Sequence, residues 1–292
     1  MSSIAGPAPD QLGSPALPER LAFNDGALLD AAQMQLEQRY HRARLGRVLA
    51  YLHGHGTVAG LDVVIATPAE GAEVQVTPGL ALDRLGRLIE LPTLSCLRLA
   101  VWFDQTVGTP LGGAALEAAR RDAADGLPEH VAVDVYIAFL ACRRVPEPAF
   151  ATGNADHIDA VQASRILEVA RLSLLVRHRG DNRLPAPTVT TAPDTPEAMR
   201  AAIRDAKRLQ SWDALRLDGE PPHLPHGGTL TEHEPPGQDG SEIFLARLML
   251  PVARDGGGVL RFDPGQPTQV RQDGRLYVYS TAELALFSAL GR

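Results

Sequence analysis

The sequence predicts a mainly β protein with helices: an N-terminal long helix on an antiparallel β-sandwich, followed by a smaller α+β C-terminal region. Three observations carry this. Apolar residues recur at helical spacing from Ala31 to Leu52 and stop at Gly54 and Gly56. From Gly60 the apolar period changes to two and returns in short runs as far as Val176. Pro-rich stretches then interrupt the pattern before strand-like runs resume near residue 242. The implied organisation is a flexible arm at 1–20, a helix plus β-sandwich platform at 21–180, a linker with one helix and a Pro/Gly-rich loop at 181–240, and a C-terminal strand hairpin with a short helix at 241–292.

The arm is rich in Pro, Ala, Gly and Ser, a composition that buries too little apolar surface to offset ordering. Asn24, Asp25 and Asp30 are all candidate caps for the helix that follows. At ~100° per residue, Leu29, Ala32, Leu36, Tyr40 and Ala43 share one stripe, and Met34, Leu45, Val48, Leu49 and Leu52 share nearly the opposite one. Two apolar faces leave two arrangements open: a helix held between its own domain and a neighbour such as a copy of itself, or a helix central to its own fold. Leu29, Leu36, Tyr40, Leu45, Val48 and Leu49 are the candidate interface residues. Arg39, Arg42, Arg44 and Arg47 scatter around the axis, a pattern expected of a solvated, salt-bridged rim and not of a nucleic-acid arm.

Alternation at Leu61, Val63 and Ile65, at Val74 and Val76, at Leu80 and Leu82, and at Ile89 and Leu91 predicts short strands. Asp83 and Gly86 supply the turn between two of them. "LSCLRLAVWF" reads as another strand and "LEAARRDAAD" as a surface helix. "VAVDVYIAFLAC" places Val131, Val133, Val135, Ile137 and Phe139 on one face, with Asp134 and Tyr136 on the other, as expected of a half-buried strand. "RILEVARLSLLVRH" repeats the device, with Ala170, Leu172, Leu174 and Val176 opposite Arg171, Ser173 and Arg177. Hairpin-length spacings with few helices favour an antiparallel sandwich over a doubly wound sheet. Thr195 before Pro196 opens a helix with Met199, Ala202, Ile203, Ala206 and Leu209 at helical spacing. "DGGGVL" reads as a hairpin turn, and Ser280 with Glu283 forms a capping box for a final helix.

Composition bounds the function. The chain has 292 residues, a net charge of -7 and 45% hydrophobic residues, enough for a sizeable core and unfavourable for polyanions. No nucleic-acid partner is expected. Lys207 is the single lysine among 28 basic residues, which reflects coding bias rather than phosphate recognition. Cys96 and Cys142 are too few for a disulfide framework and read as small core residues on strands. Residues 1–20 lack a basic n-region and an apolar h-region, and no run approaches the ~18 apolar residues of a membrane span. The expectation is a chain made without a signal peptide, outside the secretory pathway.

No nucleophile elbow, Walker A loop or dinucleotide fingerprint is present, so no catalytic residues, cofactor or metal are assigned. His53 and His55 are expected to shape the turn after the long helix, because two nitrogens do not close a zinc site. His223, His226, His233 and Glu234 bring borderline ligands into one loop, without a helix to fix their spacing. They define the alternative reading, a metal-dependent hydrolase or carbohydrate-processing enzyme. Trp102 and Trp212 lie in apolar contexts expected of core packing, and at 5% aromatic residues a sugar-binding tip lacks its stacking platforms.

One segment carries a resemblance. Phe23, Gly26 and Leu29 precede Glu37, Gln38 and Tyr40, followed by Leu52, His53 and Gly54, then Gly60, Leu61 and Val63, and finally Pro78, Gly79, Ala81, Asp83 and Gly86. This order resembles tail-locus proteins of phages and bacterial contractile injection systems. It is more distantly similar to the start of TssK, the trimeric type VI secretion baseplate protein, whose first domain looks like the shoulder domain of phage receptor-binding proteins. The resemblance covers residues 21 to about 92 and, weakly, "SRILEVARLSLLV". It implies a shoulder-like platform that assembles as a homo-oligomer, a trimer, joins baseplate to tail-fibre proteins or other peripheral parts, and is incorporated into a virion tail or injection-system particle. On this reading the protein is not an enzyme.

Overall fold

In the computed structural model the described residues are 20–26, 29–69, 71–124, 126–148, 161–180, 195, 197–198, 200–201, 204 and 241–290. The arm up to residue 19, most of the linker at 181–240, Trp212 and the cluster at His223, His226, His233 and Glu234 lie outside them.

Helix α1 runs from Ala31 to His53. Asp30 caps it, its Oδ1 accepting from Gln33 N at 2.8 Å while the Gln33 side chain accepts from Asp30 N. This reciprocal bonding satisfies donors that the first turn otherwise leaves open. Gly54, with φ 77°, ends the helix in a conformation that a side chain would strain.

Six short strands follow: β1 (Gly56–Gly60), β2 (Val63–Ala66), β3 (Glu73–Val76), β4 (Gly79–Leu82), β5 (Leu88–Leu91) and β6 (Ser95–Arg98). They form two antiparallel three-stranded sheets, ordered β1-β4-β5 and β2-β3-β6. Helices α2 (Leu99–Val107) and α3 (Pro110–Ala119) come next, then β7 (Arg120–Arg121), β8 (His130–Pro148), β9 (Val161–Val176), β10 (Ile243–Arg254), β11 (Leu260–Phe262) and β12 (Gln269–Arg271). The last six strands make one antiparallel sheet centred on β8 and β10, with β9 on β8 and β11 and β12 on β10. Helix α4 (Thr281–Leu290) closes the chain. The architecture is the expected mainly β one, a long N-terminal helix ahead of antiparallel sheets, and β10 enters the sheet of β8 despite the length of chain between them.

A single core joins the three sheets. Val63, Val74 and Val76 from the β2-β3-β6 sheet and Ala81, Ile89 and Leu91 from the β1-β4-β5 sheet meet Val131, Val133, Val135, Ile137 and Leu174 of β8 and β9. Each fully buried aliphatic side chain contributes about 1.5–3 kcal/mol relative to exposure.

Four local readings need correction, the last of them on β8. "LSCLRLAVWF" is not one strand: pairing ends at Arg98, and α2 begins because Leu99 and Phe103, one turn apart, both reach the core. The surface helix starts earlier, at the Thr109 cap with Pro110 in its first turn, and buries Leu116 and Ala119. Cys96 is exposed on β6 and Cys142 half-buried on β8, so neither is a core residue.

From His130 to Phe139 strand β8 is buried on both faces and not on one. Its second face carries Asp134, fully buried, which accepts from Arg247 Nε at 2.6 Å and Nη2 at 3.0 Å and lies 3.3 Å from Arg177 Nε. The forked guanidinium matches a carboxylate, so three charges sit inside the fold with their dehydration partly offset by close pairing. Beside them Tyr136 and Phe244 pack edge to face at 5.8 Å.

The C-terminal segment returns to the first strand. Thr57 N donates to Leu276 O and Val278 N to Thr57 O, a parallel bridge. Buried Arg275 reinforces it through Thr57 Oγ1 at 2.7 Å and Gly60 O at 3.1 Å. Burial holds the pKa of that guanidinium below its ordinary value. Ser280 and Glu283 form the expected capping box, with Glu283 Oε2 accepting from Ser280 N at 2.6 Å. Among the described residues no helix is long and apolar enough to cross a membrane.

Asp134→Leu, which leaves two buried arginines without their carboxylate, is expected to cost about 3–5 kcal/mol in urea unfolding. Replacing Asp134, Arg177 and Arg247 together by Leu, Met and Met should recover most of that loss. A single-variant cost under about 1 kcal/mol would show that the triad is not a structural requirement.

Candidate functional site

The candidate site is built where α1 meets the sandwich. Asp83 closes the β4–β5 turn: its Oδ1 accepts from Leu85 N at 2.9 Å and Arg87 N at 2.8 Å, and its Oδ2 accepts from Arg87 Nε at 2.6 Å. Burial pushes the Asp83 carboxyl above its ordinary pKa, and the charge and hydrogen bonds of Arg87 pull against that rise. Arg87 is fixed in turn by Ser241 Oγ at 3.0 Å and by the Phe139 ring beneath its guanidinium, 4.7 Å from the centroid.

The turn so held presents Gly86, with φ 76°, to the helix. A methyl on Gly86 would come within 1.9 Å of the Gly46 carbonyl oxygen, and one on Gly46 within 2.8 Å of the Leu85 carbonyl oxygen. Backbone therefore touches backbone, which glycine alone permits on both sides. Ala50 and Leu85 bury themselves next to this contact, with Tyr51 packed against them, and Gly46 and Ala50 are the buried residues of α1.

This contact divides the six candidate interface residues. At ~100° per residue, Leu36 lies within ~40° of Ala50, on the side turned to the body, and Tyr40 lies ~80° from Ala50 and ~120° from Gly46, at one margin; both are half-buried. Tyr40 also lies under the Arg44 guanidinium, 5.8 Å from its ring centroid. Leu45 and Val48 point the other way and are 57% and 51% exposed, and Leu49, half-buried, sits at the margin between the two. Leu29 precedes the helix and is exposed. Met34 and Leu52, 55% and 74% exposed, extend the Leu45–Val48 flank along the helix. The structure thus brings Leu45 and Val48 together with Met34 and Leu52, and sets Leu36 and Tyr40 apart from them.

Further contacts involve the first half of α1. Glu37 accepts from Leu21 N at 3.3 Å and from His41 Nε2 at 2.8 Å, and Arg42 lies 3.5 Å from Glu168 on β9. His53 is the exposed last residue of α1, and His55 is half-buried in the turn beyond Gly54. Among the described residues no group of three or more His, Cys, Asp or Glu side chains is placed to hold a metal ion. What this arrangement offers chemically is an exposed apolar flank opposite the buried Gly46 and Ala50, suited to burial against another surface.

The sequence reading missed Gly46 and the Asp134 triad. Gly46 breaks a helical run and so invites a packing explanation. Arg247 interrupts "IFLARLMLPV", a charge in an otherwise apolar strand.

Comparisons with known proteins place little beside this chain. No protein-family model and no curated protein matches it. Among solved structures, a crystal structure of TssK aligns with 86% of this chain and 42% of its own, at 9% identity and a TM-score of 0.30. The chain spans less than half the length of that protein.

Gly86→Ala is expected to lower stability by about 1–3 kcal/mol, because it adds both backbone strain and a clash with α1. Gly26→Ala is the control: it shares the positive φ, at 81°, but has open space around it. It should cost about 1 kcal/mol at most. Equal losses in chemical denaturation would mean that the Gly46–Gly86 contact contributes nothing.

Proposed function

We propose that the protein is a non-catalytic structural adaptor in the baseplate or tail of a phage or contractile injection system. In this reading it connects the baseplate to fibres or other peripheral components and works as a homo-oligomer, a trimer. The platform is the helix plus β-sandwich of 21–180, completed by strands from 241–292. No nucleic acid, metal or cofactor enters its task.

One observation carries the reading: α1 meets the sandwich at Gly46 and Ala50 and leaves Met34, Leu45, Val48 and Leu52 uncovered along its other side. An exposed apolar flank beside a fixed point of attachment is characteristic of an assembly surface. Burying it stabilises an assembly by about 25 cal/mol per Å² of apolar area, less the cost of association. The resemblance supports the particular class of assembly. Of its residues, Asp83 and Gly86 form the β4–β5 turn and seat it under α1, while Gly79 packs closely on Leu61 and Ala81 enters the core from β4, so part of the shared pattern follows a structural joint.

The test is particle composition. Tail particles or injection devices purified from the producing bacterium should contain this chain at a fixed stoichiometry to the sheath subunit by quantitative mass spectrometry. Deleting its gene should yield particles lacking peripheral parts. Particles without the chain, and complete in its absence, would overturn the reading.

A further inference from the structure

The uncovered flank of α1 has a period. Met34, Gln38, His41, Leu45, Val48 and Leu52 are separated by four, three, four, three and four residues, and all six are exposed. That is the 3.5-residue spacing of a coiled-coil seam, narrower than the stripe by which a helix packs on its own domain. It lies opposite Gly46 and Ala50, so the body and a seam partner can occupy α1 at once.

We propose that α1 winds in parallel, in register, around the same helix of other copies of this chain. The inference deepens the assembly reading above, and rests on it for biological purpose but not for its geometry. Three features select this occupant. A seam of regular 3.5-residue period receives knobs from another helix of the same repeat, and a second copy supplies one. Glu37 and Arg42 flank the seam on opposite sides, five residues apart, which is the offset that faces one residue across to the other in two parallel helices in register. Both side chains keep solvent access, at 28% and 44%, alongside their contacts to His41 and Glu168. Leu45 and Leu52 at one seam position, with β-branched Val48 at the other, favour three or more strands over two. Gln38 and His41 form a polar interval within the seam; buried, such residues fix register at some expense of stability.

The experiment uses the full chain and sedimentation equilibrium. Wild type is expected to be a closed oligomer of three or more copies. Leu45→Glu with Val48→Glu should be monomeric, and its circular dichroism unchanged, because both side chains are exposed in the single chain. Glu37→Arg should weaken association severalfold, and adding Arg42→Glu should restore it. With Cys96 and Cys142 replaced by serine, Val48→Cys should cross-link between copies under mild oxidation, whereas Leu36→Cys on the body side should not. An oligomer indifferent to the two glutamates overturns the seam and leaves the adaptor reading intact, because that reading is judged by particle composition. A monomeric wild type at high concentration, or an oligomer whose Val48→Cys variant fails to cross-link, also overturns it.

Discussion

A backbone contact between Gly46 of the long helix and Gly86 of the β4–β5 turn decides how this molecule presents itself. Two glycines let the helix approach the sheet more closely than any side chain allows, and the approach sets which side of the helix is turned inward. The turn can serve as a seat because Asp83 gathers two backbone donors and the Arg87 guanidinium at one buried carboxylate. Arg87 then reaches Phe139 of β8 and Ser241 ahead of β10, so the seat belongs to the large sheet as much as to the hairpin. Free energy from the core is in this way converted into a fixed orientation of the helix.

The rest of the architecture ties together the body on which that turn sits. Strands far apart in sequence are stitched through β8, which pairs with β9 along nearly its whole length and with β10 from His130 to Ile137. Asp134 on β8, Arg247 on β10 and Arg177 just past β9 are buried charges that pair across the middle of this sheet. The parallel bridge between Thr57 and Tyr277, pinned by Arg275, draws the C-terminal segment over the first strand after the helix. The body beneath α1 is thereby held from both ends of the chain, while the apolar outer flank of the helix is left to the surroundings.

Much of this was legible in the sequence where a local rule and the global fold agree. The helix from Ala31, its glycine stop, the Asp83–Gly86 turn and the Ser280–Glu283 box follow from caps and turn chemistry that act over a few residues. The two apolar faces of α1 were also readable, but their assignment was not: only the position of Gly46 tells which side meets the body. Reading failed where tertiary burial overrides local pattern. Leu99 and Phe103 lie in a run of strand-forming residues, yet core contacts one turn apart make it a helix. Asp134 follows the alternation of a solvent-facing position, and becomes buried because Arg247 and Arg177 arrive from distant strands. The 3.5-residue seam was present all along in the letters from Met34 to Leu52, and acquires meaning once those positions are known to be uncovered.

The central claim is that the outer flank of α1 is a surface made to be covered by another chain. Hydroxyl-radical footprinting of Met34 and Leu52, at protein concentrations above and below the association midpoint, tests it most directly. Both side chains should be protected in the assembled state and should oxidise at the rate of an exposed residue on dilution, while exposed Leu111 on α3 reacts equally in both. Equal oxidation of Met34 and Leu52 in the assembled and dissociated states would contradict the account.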